Sequence, residues 1–487
     1  MDGFVPPAVR FEDELFSSEA LTVAAVGWLD FVRDRVAPTA DSVAIALGNH
    51  PYALALFFAL SSLPLPIIVL PADPRAWPSA PPIPAGTPLF LPPTLRELAS
   101  HAEALGLRAL RVPDPSASAS PAASPTFLST PGVVAFTSGS TGAPKPVYIL
   151  TESFLLQARS MVEAYRLPAG CGIVGALPLA SHFGLGHALI LPTVLGSHLG
   201  MVEHFDHRAV LRLLASGDYL YWAGTPVMAD MLARAPLPEP HPPSPAICHI
   251  SAGSLSDAVF RAYAKRFGVP LRPSYGRTEN GFITAETAPA SEVRSDAVGQ
   301  PAPGIELRIG DDPRDPVPAG TIGRVWFSSP WYMQGYGFPP HLAPREGSDG
   351  WWPTEDMGVL SLDGYLTLVG RRDDCFKTPS GYLVNPAEVA RVMGRHPGVG
   401  EVVVVPVPAP SGSVIGVVIE ATSALEAGDL RAGAARLLPP WLQPEVVLVT
   451  RELPRLPGDK VDRQACIALL DRARAGTEDL PPAERGS

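Results

Sequence analysis

Two patterns of apolar positions alternate along much of the chain. Short apolar runs at 133–136, 173–176, 219–223 and 247–251 are separated by stretches (153–165, 209–215, 227–235, 256–267) in which apolar residues return every three or four positions. A repeating order of strand and helix predicts parallel strands joined by crossover helices, hence an α/β fold. The apolar run 52–70 is broken by Ser61, Ser62, Pro64 and Pro66, which predicts a buried helix turning into a strand at 67–70 and not a membrane span. Segments 322–327 and 364–369 are β-rich with turn residues. After Gly370 a fresh βαβ-type unit begins, with a helix from Pro386, strands at 402–407 and 414–420, and a helix near 430–438. The expected organisation is a large N-terminal domain of parallel or mixed sheets with helices, residues 1–369, and a small C-terminal α+β domain, residues 370–487.

Composition narrows the function classes. At 487 residues the chain exceeds a typical domain of about 100–150 residues several-fold, so a single small binding module is excluded. Lys plus Arg number 37 against 48 Asp plus Glu, a net charge of −11, so the basic footprint of a nucleic-acid-binding protein is missing. The 46% hydrophobic and 17% charged content is that of a folded chain. Cys171, Cys248, Cys375 and Cys466 are far apart and form no CxxC pair, so neither a disulfide framework nor a structural zinc site is expected, and a reducing cytoplasm fits best. No basic segment leads into an apolar one near Met1, so no secretory signal is read, and no membrane partner is expected.

Chemistry starts after the strand at 133–136, with Thr137-Ser138-Gly139-Ser140-Thr141-Gly142-Ala143-Pro144-Lys145. Glycine permits close backbone approach, hydroxyls donate to phosphate oxygens and Lys145 supplies a point charge, so the segment is suited to cradle a polyphosphate. It is not a Walker A loop, because Lys145 lies between Pro144 and Pro146 where that motif requires Gly before and Ser or Thr after. Four further segments follow in order: Tyr275-Gly276-Arg277-Thr278-Glu279, Trp352-Pro353-Thr354-Glu355-Asp356, Gly370-Arg371-Arg372-Asp373-Asp374, and Pro454-Arg455-Leu456-Pro457-Gly458-Asp459-Lys460.

The ordered set, spanning about 133–463, resembles the adenylate-forming superfamily of acyl-CoA and aryl-CoA synthetases, peptide-synthetase adenylation domains and luciferase-like enzymes. The resemblance implies a large N-terminal domain and a small mobile C-terminal one. It implies that Tyr275 stacks on adenine, that Thr278 touches the α-phosphate, that Glu279 holds Mg²⁺, and that Asp356 accepts the ribose hydroxyls with Arg371 assisting. Asp373 falls at the hinge position, and Lys460 at that of the lysine bridging carboxylate and α-phosphate. Only four of the 37 basic residues are Lys, namely Lys145, Lys265, Lys377 and Lys460, and three of them sit in or beside these segments. The chain departs from the family pattern in carrying Asp459 directly before Lys460, Pro273 two residues before Tyr275, and one extra residue between Lys377 and Gly381.

Pro178-Leu179-Ala180-Ser181-His182-Phe183-Gly184 resembles the substrate-side segment of acyl-CoA and aryl-CoA ligases and lacks the aspartate that pairs with an α-amino group. An amino-acid substrate would leave a desolvated ammonium unpaired. His187 lies five residues beyond His182, a spacing that does not share one α-helical face, so a two-histidine metal site is not expected. With His182, Phe183, Gly184, Trp222, Gly253, Ser254 and Phe282 as pocket candidates, a flat aryl or medium acyl group is favoured. The reading is an ATP- and Mg²⁺-dependent acid–thiol ligase that forms acyl-AMP from a small carboxylic acid and passes the acyl group to CoA. The alternatives are transfer to the phosphopantetheine of an acyl carrier protein, or a nucleotide-binding scaffold that has lost catalysis.

Overall fold

The computed structural model describes residues 4–77, 83–115, 126–137, 144–216, 218–236, 246–253, 255–380, 383–384, 386–409, 412–421, 423–455 and 461–474. It is a mixed α/β structure. The chain divides into two units: Met1–Leu307 with Phe327–Trp352 and Leu362–Thr367, and Arg308–Trp326 with Pro353–Ser361 and Leu368–Ser487.

The first unit holds two large sheets. One has seven strands in the order Leu271–Pro273, Ile247–Ile250, Tyr219–Gly224, Gly172–Gly175, His198–Met201, Ala8–Phe11 and Glu14–Phe16. Every pair but the last is parallel. Parallel pairing needs helical crossovers, and these lie where the apolar period predicts them, at His207–Ala215, Pro226–Arg234 and Asp257–Phe267. The last of these shows how local chemistry fixes the ends. Ser256 accepts a hydrogen bond from Val259 N at the start, Lys265 and Arg266 close the last turn, and Gly268 takes the left-handed conformation at φ 72°.

Alternation along the strands sorts their side chains to two covered faces. Trp222, Cys248, Val174 and Ile250 point into an apolar cluster with the three crossover helices, where Trp222 stacks on Tyr263. Tyr221 and His249 point to the opposite face.

The second sheet has eight strands, among which Ile67–Pro71, Val43–Leu47 and Pro88–Leu91 are successive parallel neighbours. The helix Pro51–Leu60 begins with Pro51 after the capping His50, and nine of its ten residues are buried, as an all-apolar helix between packed layers must be. The strand at 133–136 is Gly132–Phe136, and it pairs antiparallel with Pro146–Leu150. The hydroxyl-rich segment between them is therefore the connection of a β-hairpin and not the strand-to-helix turn of a P-loop.

In the second unit, Val399–Ala409, Gly412–Ala421 and Val446–Thr450 form a three-stranded sheet. The first two strands are antiparallel and the last two parallel. The first two strands form a hairpin, because only two residues separate them and a crossover needs about ten or more, and the expected βαβ-type unit follows from the second strand onward. The crossover is supplied by Ala427–Leu437 between the second and third strands. Val404 joins the cluster on one face, with Ile415, Val417 and Ile419, whereas Val403, Val405 and Val407 join Cys466 and Leu470 on the other. Among the described residues no helix is long and apolar enough to cross a membrane, and no group of three or more His, Cys, Asp and Glu is placed to hold a metal ion.

Candidate functional site

Because six strands of the seven-stranded sheet are parallel, their carboxyl ends share one edge, the usual place for a ligand in such sheets. The segments leaving that edge contain His182, Gly253 and the stretch Ser274–Phe282. Ser251 N donates to Gly224 O at 3.1 Å and Ser274 N to Ile250 O at 2.9 Å, so the ladder continues into the exits.

From there Gly276–Arg277 and Gly281–Phe282 form a short antiparallel hairpin carrying Thr278 and Glu279 at its tip. Tyr275 is buried, with its N–H donating to Thr284 Oγ1 at 2.9 Å. Gly281 is dictated by the packing. Its φ is +70°, and a Cβ there would collide with the Gln157 amide and the His182 ring.

Glu279 is the best-defined charged group of the site. It is 8% exposed, its Oε1 accepts from the Tyr336 hydroxyl at 2.8 Å, and its Oε2 accepts from Arg277 Nε at 3.5 Å. Burial pushes the carboxyl up, but the Arg277 charge and the hydrogen bonds from Tyr336 and Arg277 outweigh it and hold the group below the ordinary glutamate value. Tyr336 stands on Gly335–Phe338, which pairs with Pro146–Leu150 in the register Tyr336↔Val147. The adjoining Met333 N donates to Glu279 O at 2.8 Å.

The same strand therefore ties Glu279 to the neck of the hydroxyl-rich hairpin. At that neck Thr137 N donates to Lys145 O at 3.0 Å and Lys145 N donates to Thr137 Oγ1 at 2.9 Å. Lys145 Nζ lies over the Tyr336 ring, 5.5 Å from its centroid. Ser138, Gly139, Ser140, Thr141 and Gly142 lie outside the described residues, as do Ser254 and Lys460.

His182 begins a helix after Ser181, whose hydroxyl accepts from Gly184 N at 2.9 Å. A Cβ on Gly184 would collide with Pro178 O, so close packing requires glycine there. The His182 Nδ1–H donates to Thr278 O at 2.8 Å, and its Nε2 stands 3.0 Å from the Gln157 side-chain amide. Burial lowers this imidazole to about 4. It is a neutral strut between the helix and the Thr278–Glu279 turn.

The helix continues through a π turn, Gly186–Ile190, that places His187 against Phe183, Tyr221 and His249. Phe282 packs on Tyr165 and His249 in the same cluster. Trp222 is not brought there, since it lies on the other face of its strand and its neighbour Tyr221 takes the place. Among the described residues, Pro226 alone approaches a Cβ placed on Gly253, at 3.4 Å.

Asp356 and Arg371 belong to the second unit. Asp356 lies on Trp352–Leu360, where its N–H donates to Thr354 Oγ1 at 3.1 Å. Arg371 ends Leu366–Arg371 and is followed by the 3₁₀ turn Arg372–Asp374 that contains Asp373.

Residues 93–337 match the family model described as "AMP-binding enzyme", half of the chain. The chain belongs to the AMP-binding enzyme family. This AMP-binding enzyme is 28% identical over 352 residues to the sulfoacetate–CoA ligase of Cupriavidus necator, covering 70% of this chain and 67% of the relative. It is 29% identical over 280 residues to the indoleacetate–CoA ligase of Aromatoleum aromaticum, covering 57% and 54%. The chain thus spans between about half and two thirds of the length of these relatives. The structure of the amide bond synthetase McbA from Marinactinospora thermotolerans superposes with a TM-score of 0.80 at 25% identity, over 96% of this chain and 98% of that one.

Sequence reasoning did not single out Tyr336, Gln157, Tyr165 or His249. Tyr336 lies 57 residues from Glu279 and Gln157 lies 25 from His182. The one available signal was that a buried carboxylate at 279 needs a donor.

Proposed function

We propose that this AMP-binding enzyme is an ATP-dependent acid ligase: a carboxylate attacks the α-phosphate of ATP, giving acyl-AMP and pyrophosphate, and CoA thiol then displaces AMP. The observation that carries this reading is Glu279, kept ionised at the edge of a parallel sheet by Tyr336 and Arg277, with Lys145 over the same tyrosine. One carboxylate and one ammonium held this way suit a hard cation and a polyphosphate together. The hydrogen bonds from Tyr336, Arg277 and the backbone leave open part of the roughly four lone-pair sites of the Glu279 carboxylate, so it fits a magnesium ion alongside the Thr278 hydroxyl. Bound there, magnesium supplies charge neutralisation on the phosphates.

The remaining assignments belong to the same proposal. The hairpin loop from Thr137 to Lys145 receives the phosphates, Tyr275 the adenine, and Asp356 with Arg371 the ribose. Residues 370–487 form the domain that brings Lys460 to the reacting carboxylate and swivels at Asp373 for the second half-reaction, where positioning supplies most of the rate. The acid is neutral apart from its carboxylate and is aryl or medium acyl, since the segment Pro178–Gly184 carries no acidic residue to pair with an ammonium. The four cysteines form no disulfide, which suits the cytoplasm.

A second reading of the acceptor rests on the full-length likeness to an amide bond synthetase, in which an amine replaces the thiol. Pyrophosphate release from ATP should depend on an added carboxylic acid, and CoA, a carrier protein or an amine added afterwards identifies the acceptor by the product formed. Release that ignores the acid refutes the ligase, and no release with any acid leaves a nucleotide-binding scaffold.

A further inference from the structure

His187 carries a hydrogen-bonding atom that the protein leaves unused. Its Nδ1 lies 2.9 Å from the carbonyl of Phe183, which can only accept, so Nδ1 carries the proton. The buried ring is neutral, because burial lowers it to about 4. Nε2 is therefore a bare lone pair, and it is buried with no partner. An acceptor in this position loses water without replacement, which native structures rarely tolerate unless a ligand or water completes it.

The atom does not stand alone. The Tyr165 hydroxyl is likewise buried and without a partner. Tyr165 and His187 flank the same two rings: Tyr165 lies 6.0 Å from Tyr221 and 5.5 Å from His249, and His187 lies 6.0 Å and 4.8 Å from them. Tyr221 and His249 are themselves spoken for, since the Tyr221 hydroxyl meets His249 Nδ1 at 2.7 Å and His249 Nε2 pairs with Ser274. The unused capacity is thus one acceptor and one hydroxyl, set among the aromatic faces of Phe183, Tyr221 and Phe282. Ser274 and Phe282 bracket the segment Tyr275–Glu279, so the cluster adjoins the place where the acid would react.

Resting on the ligase reading, we propose that the acid is aromatic and bears a hydrogen-bond donor, a ring hydroxyl or ring N–H, which His187 Nε2 accepts beside the Tyr165 hydroxyl. His187 is then a specificity-determining residue, and the π turn is what brings it to the cluster. Aromatic walls take the ring by stacking, and the lone pair discriminates by penalising an isosteric acid that leaves it empty.

The test compares hydroxybenzoates, aminobenzoates and indole carboxylates with methylbenzoates and naphthoates of matching shape, by kcat/KM for ATP-dependent pyrophosphate release. At least one donor-bearing acid should exceed its isostere by about tenfold or more. His187→Phe keeps an aromatic ring and removes the acceptor, so the ratio should fall to about one, mainly through KM of the donor-bearing acid. Tyr165→Phe should lower the ratio less. Equal turnover of donor-bearing acids and their isosteres by the unaltered enzyme, or a preference that survives His187→Phe in folded protein, overturns the inference. The comparison in unaltered enzyme stands even where a variant does not fold. If only aliphatic acids drive release, this inference fails and the ligase stands; if no acid does, the ligase reading fails and this inference falls with it.

Discussion

Glu279 and Tyr336 form a pair in which each partner answers a need of the other. A carboxylate at 8% exposure requires donors, and a phenol whose ionisation is pushed up by burial and by the Glu279 charge remains a donor. Tyr336→Phe removes one hydrogen bond of a charged acceptor, a loss of roughly 1.5–3 kcal/mol where the bond is made. We expect the magnesium concentration at half-maximal pyrophosphate release to change several-fold, with the thermal midpoint lowered only slightly; an unchanged magnesium response would detach Tyr336 from the site. The buried histidines act on stability. His182 and His187 are lowered to about 4 from 6.5, so between those values the unfolded chain binds protons that the folded chain refuses. Stability is then complete above pH 6.5 and lost as pH falls toward 4, by on the order of 3 kcal/mol per ring. Urea midpoints measured from pH 7.5 to 4.5 should fall steeply below 6.5 and less steeply in His187→Phe; a flat profile would mean that these rings titrate normally.

At the scale of elements, two glycines separate conformational need from space. Gly281 in the Thr278–Glu279 hairpin has φ +70° and two side chains against its missing Cβ, whereas Gly186 in the π turn has no positive φ and, among the described residues outside its own helical turn, no atom within 4 Å of a Cβ placed there. Gly281→Ala should cost more than about 2 kcal/mol in chemical denaturation and also perturb the site, because strain and overlap add there. Gly186→Ala should be neutral or stabilising by a few tenths of a kcal/mol up to about 1. Equal costs would place the constraint on the helix and not on the hairpin. The π turn also alters a sequence-level argument. A spacing of five residues does not share one face of an α-helix, yet Gly186–Ile190 winds as π and brings His187 into a cluster that α-helical geometry does not predict.

For the whole molecule, the proposed division of labour assigns the two half-reactions different needs. With Lys460 in residues 370–487, Lys460→Ala should abolish acyl-AMP formation and leave acceptor transfer from supplied acyl-AMP nearly intact. Equal loss of both half-reactions, followed by AMP release, would remove Lys460 from that role.

The parallel α/β plan was legible in the chain, because helix and strand periods differ and each run at 173–176, 219–223 and 247–251 is long enough to show which it follows. So was the helix Asp257–Phe267, since apolar residues return every three or four positions along it. The segment around Glu279 was marked out by its resemblance to the family. Three outcomes depended on neighbours distant in sequence. Tyr221 and not Trp222 faces the buried histidines, a choice that reverses with one residue of register. The strand Val446–Thr450 pairs in parallel with 412–421 only across the intervening helix Ala427–Leu437. Tyr336 reaches Glu279, and Tyr165 reaches the rings around His187, only because strand order and helix packing bring them together. Local patterns fix backbone conformation, but whether a buried polar atom finds a partner depends on every element packed around it, and no stretch of sequence contains that information.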